Sequence, residues 1–170
     1  MIAEAVNTPL AVEVIAHIEA QIDSARRLLG SVLAQGTAIR SRDVESVLAH
    51  LTDLKTEMAR RAGLEQNRAA ILERAGRALG VPREGVTLEA ITTLMSASDA
   101  DAARRLSAEL KGLLAEIARE HGINRALMRQ ELAFLDHLVR LIGQQPDTGY
   151  AANGGSDRPA PLHRVLDTQA

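Results

Sequence analysis

The chain has no cysteine and no tryptophan, and its 170 residues hold one tyrosine and one phenylalanine. Without Cys there are no disulfides, no thiolate metal sites and no covalently attached c-type haem, and a reducing cytoplasm is the expected setting. Without aromatic rings there is no platform on which nucleic-acid bases could stack. A net charge of −2 removes the electrostatic reason to expect nucleic acid or anionic lipid as a partner. Long apolar runs are missing too. No segment approaches the roughly 20 apolar residues of a membrane span. The opening "MIAEAVNTPLAVEVIAHIEA" is acidic from Glu4 onward, unlike the basic start and apolar run of a secretory signal. What is present is Ala, Leu, Ile and Val. Hydrophobic residues make up 46% of the chain and charged ones 25%, enough to core one domain and in the balance that long, side-by-side helices use.

Their spacing carries most of the information. Ile15, Ile18, Ile22, Ala25, Leu29 and Val32 step by threes and fours, predicting a helix with one apolar seam from about Ala5 or Leu10 to Ala34. A second helix is expected to open at Ser41, its hydroxyl capping the first free amides, with Asp43 and Glu45 at the positive end of the dipole. Val44, Val47, Leu51, Leu54 and Met58 form its seam. Near Gly63 the continued frame would bring Arg61, Glu65 and Arg68 inside, whereas Leu64, Ile71, Ala75 and Ala78 define a shifted one, which predicts a stutter or bend. Gly80 and Pro82 then supply the stop. A short helix, Leu88 to Met95 capped by Thr87, precedes the longest, about Asp99 to Ile142, opened by Ser98 and Asp101 as a capping box. Leu106, Leu110, Leu113, Ile117, Asn124, Leu127, Phe134, Leu138 and Leu141 keep one heptad frame along it, interrupted by Glu120 and Glu131. Asn124 either sits in that seam and sets register or faces water. The expected architecture is all-α: an elongated antiparallel three-helix bundle or coiled coil over residues 1–143, with a short extra helix between helices two and three. Residues 144–170 have no period until Leu162, Val165 and Leu166, one amphipathic turn too short to stand alone, so a flexible tail is expected there.

Chemical motifs are absent. His17, His50, His121, His137 and His163 form no Glu-x-x-His or His-Glu-x-x-His pair, and none has the Lys-Gly sequel of a phosphotransfer bundle. Each reads as a solvated or edge residue. No Gly-Lys-Ser/Thr phosphate cradle occurs. The pairs Arg26-Arg27, Arg60-Arg61 and Arg104-Arg105 sit among acids, predicting solvated helix faces with ion pairs four residues apart. No catalytic residue, metal or cofactor is expected, and the chain does not read as an enzyme.

The end of the third helix is unusual. Leu127, Phe134, Leu138 and Leu141 are joined by a second row, Met128, Leu132, Leu135, Val139 and Ile142. One stripe suffices for one neighbour. The surplus is explained by contact with both other helices, by a second copy in a homodimer, or by a groove for a partner's amphipathic helix with Met128 and Phe134 as anchors.

Several phrases taken together resemble one known family. They are "RDVESVLAHLTDLKTEMARRAGLEQNRAAILERAGRALG", the restart "TLEAI", the phrase "INRALMRQELAFLDHLVRLI" and the isolated Tyr-x-x-x-Gly of "YAANG". In that order they are similar to the FlgN family of flagellar type III export chaperones, over nearly the whole chain up to about Gly155. The resemblance implies a cytoplasmic, non-enzymatic chaperone for the C-terminal segments of hook-associated proteins, those of the hook–filament junction. It prevents their premature assembly and delivers them to the export gate. On that resemblance Leu127, Met128, Leu132, Phe134, Leu135, Leu138, Val139 and Ile142 would hold cargo, and Tyr150 would dock on the gate's cytoplasmic domain. The competing reading is a structural adaptor or self-assembling scaffold that spends the same stripe on itself.

Overall fold

The computed structural model describes residues 2–143, and side chains over 9–143. Its elements are α1 (Ile2–Ser41), α2 (Val44–Leu79), a 3-10 turn (Arg83–Gly85), α3 (Leu88–Thr92) and α4 (Ala97–Gly143), with no strand among the described residues. The expected all-α bundle is the fold that forms.

Side-chain pairs set the directions. Arg74 of α2 pairs with Glu13 early in α1, while Glu57, earlier in α2, accepts from Ser24 and Arg27, so α1 and α2 are antiparallel. Arg26 meets Glu109 at 2.6 Å, Asn124 donates to the Val32 carbonyl at 2.8 Å, and Arg42 reaches Glu131, so α4 runs parallel to α1. With two partners, α1 is buried over a wide arc: Val14, Ile18, Ile22, Ala25, Leu28 and Val32 are all inside. Each such side chain contributes about 1.5–3 kcal/mol relative to exposure. Val14, Ile18, Ile22, Ile71, Ala75, Ile91 and Ala103 form one cluster that joins all four helices.

The first connection departs from expectation. α1 does not stop near Ala34 but continues through Gly36 to Ser41. Burial of Gln35, Ala38 and Ile39 in those extra turns outweighs the roughly 1 kcal/mol that a helical glycine costs. Ser41 therefore closes α1 instead of opening α2, its hydroxyl donating to the Thr37 and Ala38 carbonyls. Arg42 takes the left-handed conformation at φ 56°. Its N–H reaches the Ile39 carbonyl and that of Asp43 the Ala38 carbonyl, the pairing of a Schellman motif. Asp43 caps α2, its carboxylate accepting from the Ser46 amide at 3.0 Å.

α2 is a single helix across Gly63. Its buried residues follow the shifted frame at Ile71 and Ala75, though Ala78 is exposed. In its first half the predicted seam is overturned: Val44, Leu51 and Met58 are exposed, and Glu57 is the buried residue. Glu57 can be inside because Ser24, Arg27 and Arg60 all donate to its carboxylate. Gly80 makes the expected left-handed cap at φ 70°. Thr87 caps α3, accepting from the Ala90 amide, and the helix ends at Thr92, short of Met95. α4 is opened by Ser96, not Ser98: the Ser96 hydroxyl accepts from the Asp99 amide at 3.2 Å and donates to its carboxylate at 2.8 Å. Both serines have an acid three residues on, and burial of Ala100 and Ala103 selects the earlier start.

The chain divides into two compact units, Met1–Ala133 and Phe134–Ala170. All the contacts above lie in the first. Of the second, residues 134–143 are described: they complete α4 and carry an Arg140–Asp136 pair at 2.6 Å.

Candidate binding surface

Asn124 settles the register of α4. It is 2% exposed and donates to the Val32 carbonyl, so it faces α1, not water. An ideal Cβ on Gly36 would lie 2.6 Å from the Asn124 side-chain oxygen, so the glycine is what lets the two helices approach there. The row holding Asn124 continues as half-buried Leu127 and Glu131, both turned the same way.

The second row is exposed. In the first unit, Met128 is 42% and Leu132 63% exposed. In the second, Phe134, Leu135, Leu138, Val139 and Ile142 are all exposed, Val139 at 67% and Ile142 at 72%. Apolar residues scattered singly on a surface need no explanation, but contiguous ones mark interaction surfaces.

Sequence reasoning missed a companion row on α2. Val44, Leu48, Leu51 and Met58 are exposed. Met58 and Leu51 stand one and two heptads before Glu65, while Met128 stands two heptads after Leu114. Glu65 and Leu114 line one cavity between α2 and α4. By helical periodicity the α2 row and the Met128 row therefore lie on the sides by which these helices flank each other. The signal that could have revealed the α2 row is Glu57 itself: an acid flanked by basic residues on its own helix and facing Arg26-Arg27 across α1 turns the neighbouring apolar positions outward.

The polar residues hold the bundle and suggest no catalysis. Glu57 is held down to a pKa of about 2, first by the hydrogen bonds from Arg27, against the opposing effect of burial. The basic pairs do bond to acids, but largely between elements: Arg26 to Glu109, Arg27 to Glu57, and Arg104 to Glu89. His17 corrects another expectation, for it is buried, 9% exposed, and bonded to Gln21. No cluster of His, Cys, Asp and Glu able to hold a metal occurs among the described residues. No helix among them is long and apolar enough to cross a membrane. Tyr150 lies outside the described residues.

Comparison with known proteins gives one match. A family model described as "FlgN protein" matches residues 10–158, most of the chain. Neither the curated proteins nor the solved structures contain a match.

Proposed function

Because the chain belongs to the FlgN family, whose members are flagellar export chaperones, we propose that it binds the amphipathic C-terminal segments of hook-associated proteins. It keeps them from assembling early and hands them to the cytoplasmic domain of the export gate. The observation that supports this most is the exposed α4 row, with Met128, Leu132, Leu135, Val139 and Ile142 all open. An amphipathic cargo helix laid along it buries its own apolar face, which removes the force driving self-association without any need for ATP. Ordering a flexible cargo offsets part of the gain, so binding stays reversible. Leu127 and Leu138 would edge the contact, and Phe134 would anchor it. Residues 1–143 would act as the chaperone domain, in the cytoplasm. Tyr150, in the remaining tail, would dock on the gate, where a ring offers a large apolar contact and a hydroxyl.

The test is co-purification. Hook-associated proteins with their C-terminal segments intact should be retained, and those lacking them should not. Chaperone made polar at Leu132, Leu135 and Val139 should retain neither, and binding indifferent to both changes rejects the reading. Tyr150→Ala should leave cargo binding intact and weaken gate docking; loss of cargo binding instead would reject the gate role. The scaffold alternative draws on the same exposed rows. Sedimentation separates it: a tetramer that persists on dilution, with no affinity for cargo, would favour it.

A further inference from the structure

A cavity of about 500 Å³ lies between α1, α2, α4 and the α2–α4 connection, away from the α4 surface above. Buried Val14, Ile18, Ile71 and Ile91 give it an aliphatic floor. Arg61 and His17 bring unmet donors to it. Gln21 Nε2 lies 2.8 Å from His17 Nε2. An amide nitrogen only donates, so His17 Nε2 accepts, and the neutral ring carries its hydrogen on Nδ1. Burial holds this imidazole below its ordinary pKa, which keeps it neutral near pH 7. Both His17 Nδ1 and Arg61 Nη1 are buried and find no hydrogen-bond partner among the described residues.

The charges around the cavity are unequal. Glu65 is the sole carboxylate on its wall, and it sits 3.5 Å from Arg68. Arg61 has no ion pair among the described residues. Buried donors are nearly always satisfied, and a buried cation is nearly always paired. An anionic acceptor with a hydrocarbon body meets both requirements at once.

We propose that this cavity binds a carboxylate on an apolar stem, its oxygens accepting from Arg61 Nη1 and His17 Nδ1 and its hydrocarbon packed on Val14, Ile18 and Ile71. The site shares no residue with the α4 row, so it stands or falls apart from the cargo reading. Such a group comes from a free short-chain carboxylic acid or from the apolar C-terminal residue of a peptide. Isothermal titration of the full chain with hexanoate, hexanamide, and acetyl-Ala-Leu as free acid and as amide distinguishes the sources. The expected result is that acids bind and amides do not. Hexanoate alone binding identifies a small acid as the ligand, and tighter binding of the peptide acid identifies a chain terminus. Arg61→Gln should weaken the acids about tenfold or more, as loss of a charge-assisted hydrogen bond does. Should that variant not fold, nitrogen NMR of the unaltered protein reads the same point, since bound acid must shift the His17 Nδ1–H resonance. Acids and amides binding alike, no binding at millimolar concentration, unchanged affinity in a folded Arg61→Gln variant, or a His17 resonance that ignores bound acid would each overturn the proposal.

Discussion

Glu57 shows how one residue can decide a helix face. Its carboxylate is buried, accepts from Ser24 at 2.8 Å and from Arg27 at 3.0 and 3.1 Å, and titrates at about 2 instead of 4.5. A lowered folded-state pKa means that the unfolded chain binds the proton first as acid is added. The stabilisation is therefore complete above pH 4.5 and lost as the pH falls through 4.5 towards 2. Glu57→Gln should cost on the order of 2–3 kcal/mol at pH 7 and flatten the melting temperature across that acid window, a pair of effects that thermal unfolding between pH 2 and 7 would read. Two glycines on α1 make a second comparison. A Cβ at Gly30 meets nothing within 4 Å, so Gly30→Ala should stabilise by about 0.5–1 kcal/mol, whereas Gly36→Ala should destabilise by about 1–3 kcal/mol through Asn124. Denaturant titration of the two variants isolates the contact, and equal effects would refute it. At Arg42, left-handed without being glycine, Arg42→Gly should gain about 1 kcal/mol, since its pairing with Glu131 is exposed and contributes little. At this scale the sequence was least readable. Asn124, Glu57 and His17 are polar residues whose burial depends on groups brought from another helix or turn, and spacing along one helix cannot supply that.

Elements were easier to read. Steps of three and four residues marked α1, α2 and α4, and Gly80 and Thr87 marked two of their boundaries, because periodicity and capping are local properties. The misplaced boundaries had local rivals. Ser96 and Ser98 both have an acid three residues on, and Ser41 and Asp43 could each cap α2. In both cases contacts from elsewhere chose. The exposed row on α4 was legible as a surplus of apolar positions, while its counterpart on α2 was hidden inside a regular seam that the fold turned outward. Leu132→Gln, Leu135→Gln and Val139→Gln should each move stability by no more than about 0.5 kcal/mol, because nothing in the fold leans on exposed side chains. Together they should lower affinity for a hook-associated C-terminal peptide by tenfold or more in a fluorescence anisotropy titration. A loss of helicity with the affinity would instead mean that the row is structural.

For the molecule as a whole, binding and stability are linked. A peptide that seats only on the folded chain should stabilise it by about 2.7 kcal/mol at 100 times its dissociation constant, and the triple glutamine variant should show no such rise in melting temperature. The feature that organises the first unit is α1, which meets α2 across a link of two residues, Arg42 and Asp43, but meets α4 through Asn124, 92 residues beyond Val32. A ribosome releases these partners in order. The flank of α1 that receives Asn124 thus stays bare until most of the chain has been synthesised, and the nascent protein passes through a stage with the same kind of unclothed apolar strip that its finished form is suited to cover on others.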